Sequence, residues 1–135
     1  MSPCFADTFY YLALANPHDE SHDRAKAFTR TLRRRIVTTE FVLLEVADAM
    51  SLPKSRPAFL RLLDVQRGSW NVEIVRATSE LFQRGVRLFA ERPDKDWPLT
   101  DCISFVVMRE RGLTVTDALT ADHHFEQGGF RALLK

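Results

Sequence analysis

The chain has 135 residues, of which 19 are Lys or Arg and 18 are Asp or Glu, so its formal net charge is +1. This length suits one domain with a hydrophobic core, and we expect a single domain over residues 1–135. The balanced charge excludes a protein whose overall field attracts nucleic acid, so a polyanionic partner would need a local basic patch. No apolar run approaches the ~20 residues of a membrane span, and the first residues lack the features of a secretory signal. We therefore expect a cytoplasmic protein that does not cross a membrane.

Short apolar runs alternate with amphipathic segments along the chain. The apolar runs predict strands at Cys4–Ala6, Ile36–Thr38, Trp70–Val75 and within Thr114–Thr120. The amphipathic segments predict six helices: Thr8–Ala15, one after the capping residue Ser21, one from Thr39 or Glu40 to Met50, Arg56–Gln66, one from the cap Thr78 to Glu91, and Thr100–Arg111. This alternation is typical of an α/β protein whose parallel sheet is covered by helices on both faces.

The spacing of apolar residues predicts the buried faces of two helices. These residues are Phe59, Leu60, Leu62 and Leu63 in the first helix, and Leu81, Phe82, Leu88 and Phe89 in the second. The segment from Glu40 to Gln66 carries more apolar residues than one face can bury. We therefore expect a homodimer that also binds a segment of a partner protein.

Several motifs of known enzyme chemistry are absent. The five glycines cannot form the G-x-G-x-x-G of dinucleotide-binding proteins, the phosphate-binding P-loop or the G-x-S-x-G of α/β-hydrolases. We interpret His18 and His22 as solvated residues at a helix start rather than as a metal site. Cys4 and Cys102 have apolar neighbours, so we expect two buried core residues rather than a disulfide or zinc ligands. Any enzyme chemistry must then come from carboxylates.

Four acidic residues have apolar neighbours and follow strands or lie in the helices after them: Asp7, Glu45, Asp101 and Asp122. In an open parallel sheet the ligand crevice lies beyond the carboxyl ends of the strands, so we expect three of these acids at one sheet edge. A single one of them, such as Asp101, is explained by a helix cap or a surface position. Four converging carboxylates would suit Mg²⁺, which takes hard oxygen ligands and keeps several waters.

The segments that contain these acids resemble, in order, the motifs of the PIN-domain nucleases. They are Phe5–Thr8, Thr38–Glu45, Leu99–Phe105 and Leu119–Phe125. The resemblance covers nearly the whole chain, and it implies a three-layer α/β/α sandwich with a central parallel sheet. It also implies Mg²⁺ or Mn²⁺ dependence and endonucleolytic cleavage of RNA. Many members of the family are toxins of VapBC-type toxin–antitoxin pairs, so a cognate antitoxin is the implied partner.

The resemblance also assigns functions to residues. Asp7, Glu45, Asp101 and Asp122 match the acidic quartet of the family. Asp7, Asp101 and Asp122 would be the main metal ligands, and Glu45 a second-metal ligand or the base that orients the attacking water. Three further residues match supporting positions beside the quartet: Thr8, Asp96 and Ser104.

Two departures from the family pattern bear on these assignments. Glu40 stands where family members commonly carry Asn. Extra length before the last strand makes Asp117 an alternative fourth acid. We prefer Asp122, because Phe125 and Phe130 keep the spacing that follows the motif.

Contact with RNA needs local cations or aromatic rings in a chain of balanced charge. The clusters Arg33–Arg35 and Lys54–Arg56 would suit phosphate, although a solvated helix end explains each of them better. Trp97 would stack a base or anchor the core. Two other functions stay open: a housekeeping PIN nuclease of RNA processing without an antitoxin, and a PIN-like binding module without catalysis.

Overall fold

Five strands and seven helices make up the part of the chain that the computed structural model describes, residues 2–112 and 115–135. The strands are β1 (Cys4–Ala6), β2 (Ile36–Thr39), β3 (Val72–Val75), β4 (Asp117–Leu119) and β5 (Arg131–Ala132). The helices are α1 (Thr8–Ala15), α2 (His22–Thr31), α3 (Glu40–Ala49), α4 (Arg56–Gly68), α5 (Ser79–Glu91), α6 (Leu99–Glu110) and α7 (His123–Gln127).

The strands form one sheet in the order β3-β2-β1-β4-β5, and every pair is parallel. Phe5 of β1 is in register with Val37 of β2 on one side and with Ala118 of β4 on the other. The chain moves outward from β1 to β3 and then crosses back to β4. Right-handed crossovers that run in opposite directions place their helices on opposite faces of the sheet. The expected α/β fold with a central parallel sheet between helical layers is confirmed.

The predicted cap Thr78 is confirmed, whereas the Ser21 side chain, predicted to cap α2, makes no capping hydrogen bond. The Thr39 hydroxyl accepts a hydrogen bond from the Val42 amide at 3.0 Å, and Thr78 does the same for Leu81 at 3.1 Å. At Gly112, just beyond α6, φ is +58°, which favours glycine. The predicted strand within Thr114–Thr120 corresponds to β4, although Thr114 itself lies outside the described residues. The sequence did not predict α7 and β5 as separate elements, because both are shorter than the patterns that periodicity detects.

The core lies between the sheet and the helices, and aromatic rings fill its centre. Phe105 of α6 packs edge-on against Phe125 of α7 and against Trp97, with ring centroids 4.9 Å apart in both pairs. Cys4 and Cys102 are fully buried, as expected of core residues. None of the helices within residues 2–112 and 115–135 has the length and apolar character that a membrane crossing requires.

Several positions that were predicted to face the core are instead exposed. In α4, Leu60 is 57% exposed, because this helix makes its main contacts with α3 and β3 on one side only. In α5, Phe82 and Phe89 are exposed, because the buried line of this helix against α6 runs through Leu81 and Gly85 instead. β3 starts two residues later than predicted, and Trp70, which lies before it, is exposed to solvent.

A candidate metal centre at the carboxyl edge of the sheet

The candidate site lies where β1 and β4 are neighbours. The crossover after β1 leads toward β2 and β3, whereas the chain after β4 turns toward β5, so the strand order reverses at this point. Crevices of parallel sheets form at such reversals, beyond the carboxyl ends of the strands. Asp7 directly follows β1, and Thr120 and Asp122 follow β4. The fold therefore brings the carboxyl ends of β1 and β4 together, although Asp7 and Thr120 are more than a hundred residues apart in sequence.

Asp7 is a buried carboxylate with one free oxygen. Its side chain is 3% exposed, and Oδ2 accepts a hydrogen bond from the Thr120 hydroxyl at 2.9 Å. Its other oxygen, Oδ1, has no hydrogen-bond partner among the described residues. Burial and the nearby charge of Asp101 raise the pKa of Asp7 to about 7, against the opposing effect of the Thr120 hydrogen bond. An oxygen in this state is suited to bind a cation.

Asp101 and Glu45 approach the same crevice from α6 and α3. Asp101 lies in the first turn of α6 and is 5% exposed, whereas Glu45 is half-buried in the middle of α3. Burial, together with the charges of Asp122 and Glu45, raises the pKa of Asp101 to about 7. The charges of Asp101 and Asp122 raise the pKa of Asp7, and the charges of Asp122 and Glu45 raise the pKa of Asp101. The structure thus brings together all four acids that the sequence singled out.

Asp122 caps α7 and carries a histidine into the site. Its Oδ1 accepts a hydrogen bond from the backbone amide of His124 at 2.9 Å. The His124 ring nitrogen Nδ1 lies 3.1 Å from Asp101 Oδ2 and 3.3 Å from Asp122 Oδ1. Ligand atoms of Asp122, His123 and His124 all lie within 4.8 Å of one another. His124 was not among the residues predicted from the sequence, although a pair of histidines directly after a candidate acid is a visible signal.

The three supporting residues differ in their surroundings. Thr8 is buried at the start of α1, and its hydroxyl oxygen has no hydrogen-bond partner among the described residues. The Ser104 hydroxyl donates to the Thr100 carbonyl at 3.0 Å within α6, so its hydrogen is already used. Asp96 is exposed in the loop before α6. Of the three, Thr8 has a side chain adjacent to Asp7 that remains available to a ligand.

Asp117, the alternative fourth acid, lies at the opposite edge of the sheet. As the first residue of β4, it forms ion pairs with Arg34 at 2.9 Å and with Arg131 at 2.7 Å. Burial alone would raise its pKa, but the hydrogen bonds and charges of Arg131 and Arg34 outweigh burial and lower it. Arg34 also donates to the carbonyl oxygens of Ser2 and Pro3. Asp117 therefore ties strands together, and the geometry favours Asp122 as the fourth acid of the crevice.

Two other sequence features have structural explanations. The Trp97 indole nitrogen donates to the Gln127 side-chain oxygen at 3.0 Å, and its ring is buried against Phe105. Trp97 is therefore a core anchor rather than a surface for an RNA base. Glu40 accepts a hydrogen bond from the Ala77 amide at 2.7 Å, which joins the start of α3 to the segment after β3.

The possible metal-ligand atoms of the crevice suit a divalent cation. They are oxygens of Asp7, Asp101, Asp122 and Glu45, and carboxylate oxygens are the ligands that Mg²⁺ and Mn²⁺ take in proteins. The free Oδ1 of Asp7 and the mutual repulsion of the carboxylates are both relieved by a positive charge at this point. The imidazole of His124 adds a nitrogen beside the oxygen set.

Known proteins resemble this chain in sequence and in fold. No family model matches the chain. The 23S rRNA-specific endonuclease VapC20 of Mycobacterium tuberculosis is 25% identical over 126 residues, which are 93% of this chain and 94% of the relative. The crystal structure of VapC20, described as a Sarcin-Ricin loop cleaving toxin, matches with a TM-score of 0.84 at 24% identity, over 94% of this chain and 95% of that one. VapBC2 from Rickettsia felis, bound to a DNA fragment from its promoter, matches with a TM-score of 0.62 at 16% identity, over 93% and 92% of the two chains.

Proposed function

We propose that this chain, a PIN-domain protein of the VapC type by its fold and its similarity to VapC20, is a metal-dependent endoribonuclease and the toxin of a toxin–antitoxin pair. The observation that carries the proposal is the convergence of four carboxylates at the reversal point of the sheet, two of them with a pKa near 7. The activity of VapC20 on 23S rRNA supports RNA as the substrate class.

In this proposal Asp7, Asp101 and Asp122 hold a Mg²⁺ ion, for which Mn²⁺ can substitute. A bound ion of this kind lowers the pKa of water and stabilises the charge that develops on a phosphate in the transition state. Thr120 holds Asp7 in place through a hydrogen bond to Oδ2, and Oδ1 has no hydrogen-bond partner among the described residues.

Glu45 has the environment of a proton acceptor. It is half-buried rather than enclosed, so an attacking water and the RNA phosphate can reach its carboxylate. We assign to Glu45 the function of orienting that water and accepting its proton at a carboxylate oxygen. The alternative function of Glu45, as ligand of a second ion, would use the same carboxylate.

An antitoxin and a second copy of the chain are the proposed protein partners. Apolar side chains that a single chain leaves in solution lie on and between α3 and α4: Leu44, Leu52, Leu60 and Val65. Burial of such side chains against another protein is favourable, at about 25 cal/mol per Å². A neighbouring short reading frame that encodes a DNA-binding protein would support a toxin over a housekeeping nuclease, and a genomic inspection decides between them.

The first test is metal-dependent cleavage of RNA. We expect the protein to cut ribosomal RNA in the presence of Mg²⁺ or Mn²⁺ and to lose this activity in excess chelator. Asp7→Asn and Asp101→Asn should each lower the rate by more than about a hundredfold, because several kcal/mol of charge stabilisation depend on the bound ion.

Asp117→Asn is the matched control for these two variants. It makes the same chemical change at the opposite edge of the sheet, where Asp117 pairs with Arg34 and Arg131. We expect it to lower the melting temperature and to leave most of the activity at a temperature where the variant is folded. Undiminished cleavage in chelator, or an inactive but folded Asp117→Asn beside an active Asp122→Asn, would contradict the assignment.

A further inference from the structure

We propose that His124 is a positioning residue, whose ring nitrogen Nδ1 holds the carboxylates of Asp101 and Asp122 side by side before a divalent cation binds. Nδ1 lies 3.1 Å from Asp101 Oδ2 and 3.3 Å from Asp122 Oδ1, so one nitrogen contacts an oxygen of each acid. The inference rests on the metal-dependent function proposed above and assigns a task to a residue outside the acidic quartet.

We assign a hydrogen of the imidazole to Nδ1, because this nitrogen faces two carboxylates. Carboxylate oxygens accept hydrogen bonds, so a nitrogen that faces two of them donates. The two acids come from α6 and from the start of α7, and their like charges repel each other across the crevice. An N–H that is hydrogen-bonded to Asp101 and lies close to Asp122 offsets part of this repulsion and restrains the separation of the two acids.

The surrounding structure fixes the ring in this position. The backbone amide of His124 donates to Asp122 Oδ1 at 2.9 Å, so the residue is attached to one of the acids through its main chain as well. The next residue, Phe125, packs edge-on against Phe105 of α6, the helix that carries Asp101. The His124 side chain is only 16% exposed. Its position relative to both carboxylates is therefore set by the core rather than by solvent.

His123 provides the matched control on the same helix. Its side chain is 70% exposed, and its Nδ1 lies 3.5 Å from Asp122 Oδ1. Among the described contacts, none joins His123 to Asp101. The two histidines thus share a residue type, a helix and a neighbouring acid, but only His124 connects the two acids.

Three substitutions separate the hydrogen bond from the bulk of the ring. His124→Asn places an amide N–H near the position of Nδ1, His124→Gln places one near the position of Nε2, and His124→Ala removes the donor. Because only Asn presents a donor at the right distance from the main chain, it should restore the contact. A residue needed only for packing would not rank the three variants in this way.

The experiment measures Mn²⁺ binding to the metal-free full-length chain by titration calorimetry, together with melting temperatures in chelator. We expect His124→Ala and His124→Gln to weaken Mn²⁺ binding by about tenfold or more. His124→Asn and His123→Ala should bind nearly as tightly as wild type. The melting temperature of His124→Ala should fall more in chelator than in saturating Mn²⁺, because the ion takes over the task of holding the carboxylates.

Three results would overturn the inference. The first is unchanged Mn²⁺ affinity in His124→Ala, or, if that variant does not fold, equal affinities of the Asn and Gln variants. The second is an equal loss of affinity in His123→Ala. The third is a nitrogen hyperfine coupling to bound Mn²⁺ in electron paramagnetic resonance that vanishes without His124, which would make His124 a direct ligand. Cleavage of RNA by the wild type tests the proposed function alone, whereas the ranking of affinities tests His124.

Discussion

Asp7 and Asp101 both have a pKa near 7, although an aspartate exposed to water titrates near 4. Burial is the larger cause for each of them, and neighbouring carboxylates are the second. Without a cation, the folded chain therefore binds more protons than the unfolded chain between about pH 4 and pH 7. A raised carboxyl pKa of this kind makes folding less favourable as the pH rises through that interval.

This linkage predicts an unusual dependence of stability on pH. In chelator, the free energy of unfolding should be larger at pH 5 than at pH 8 by an amount on the order of 2 to 4 kcal/mol. The melting temperature should therefore be higher at pH 5. Mg²⁺ at pH 8 should restore much of the loss, because the ion binds the charged carboxylates of the folded state. Thermal melts at both pH values, with and without Mg²⁺, check this expectation. Equal melting temperatures in chelator at pH 5 and pH 8 would contradict it.

Asp101→Asn should separate a metal site from a helix cap. The substitution removes one charge from the crevice and keeps the shape, so the variant should melt about 3 °C or more above wild type in chelator at pH 8. It should also gain less than wild type when Mg²⁺ is added. If Asp101 served only to cap α6, Asn would cap about equally well and the two proteins would give superimposable melts.

At the scale of elements, α5 packs closely against α6 at Gly85. A Cβ built at Gly85 would lie 2.3 Å from the Ile103 side chain and 3.4 Å from its Cα. Real Cβ atoms do not approach other atoms at the shorter of these distances, so either the Ile103 side chain or the spacing of the two helices would have to change. Because Ile103 is two residues from Asp101, this contact also sets the position of the helix that carries an acid of the crevice.

Gly85→Ala should therefore destabilise the protein. Overpacking in a core costs about 1 to 3 kcal/mol, which over most of this range is more than the ~1 kcal/mol that alanine contributes over glycine in a helix. Gly68→Ala at the end of α4 is the control, because no atom lies within 4 Å of the Cβ that it would add. Chemical denaturation of both variants measures the effect. A Gly85→Ala variant as stable as Gly68→Ala would show that α5 and α6 tolerate a wider separation.

At the scale of the whole molecule, apolar side chains on and between α3 and α4 remain uncovered by a single chain. We expect a homodimer at micromolar concentration, and Leu60→Glu should shift it to the monomer, because a charge would then have to be buried in the contact. Phe89→Glu is the matched control, since Phe89 is also exposed but lies on α5. Light scattering gives the mass of each variant. A wild type of monomeric mass would contradict the homodimer and leave these side chains to the proposed antitoxin alone.

The order of strands and helices could be read from the sequence, because hydrophobic periodicity and helix caps act within about ten residues of chain. Thr78 caps its helix as predicted, and the acids at the ends of β1 and β4 lie where parallel strands require them. The exposure of Leu60 was not predictable in this way. Periodicity identifies an apolar face, but the tertiary structure determines how much of that face a neighbour covers.

The sequence by itself determined that this chain has an α/β fold with a parallel sheet and carboxylates beyond the carboxyl ends of its strands. Both properties follow from local pattern and strand polarity. Only the tertiary structure placed Asp117 and Asp122 at opposite edges of the sheet, placed Trp97 in the core and brought His124 to Asp101. Each of these results depends on pairs of side chains far apart in sequence, such as Arg34 and Asp117, which are 83 residues apart. The free energy of a buried charge depends on the partner that faces it in space, and local pattern carries no information about that partner.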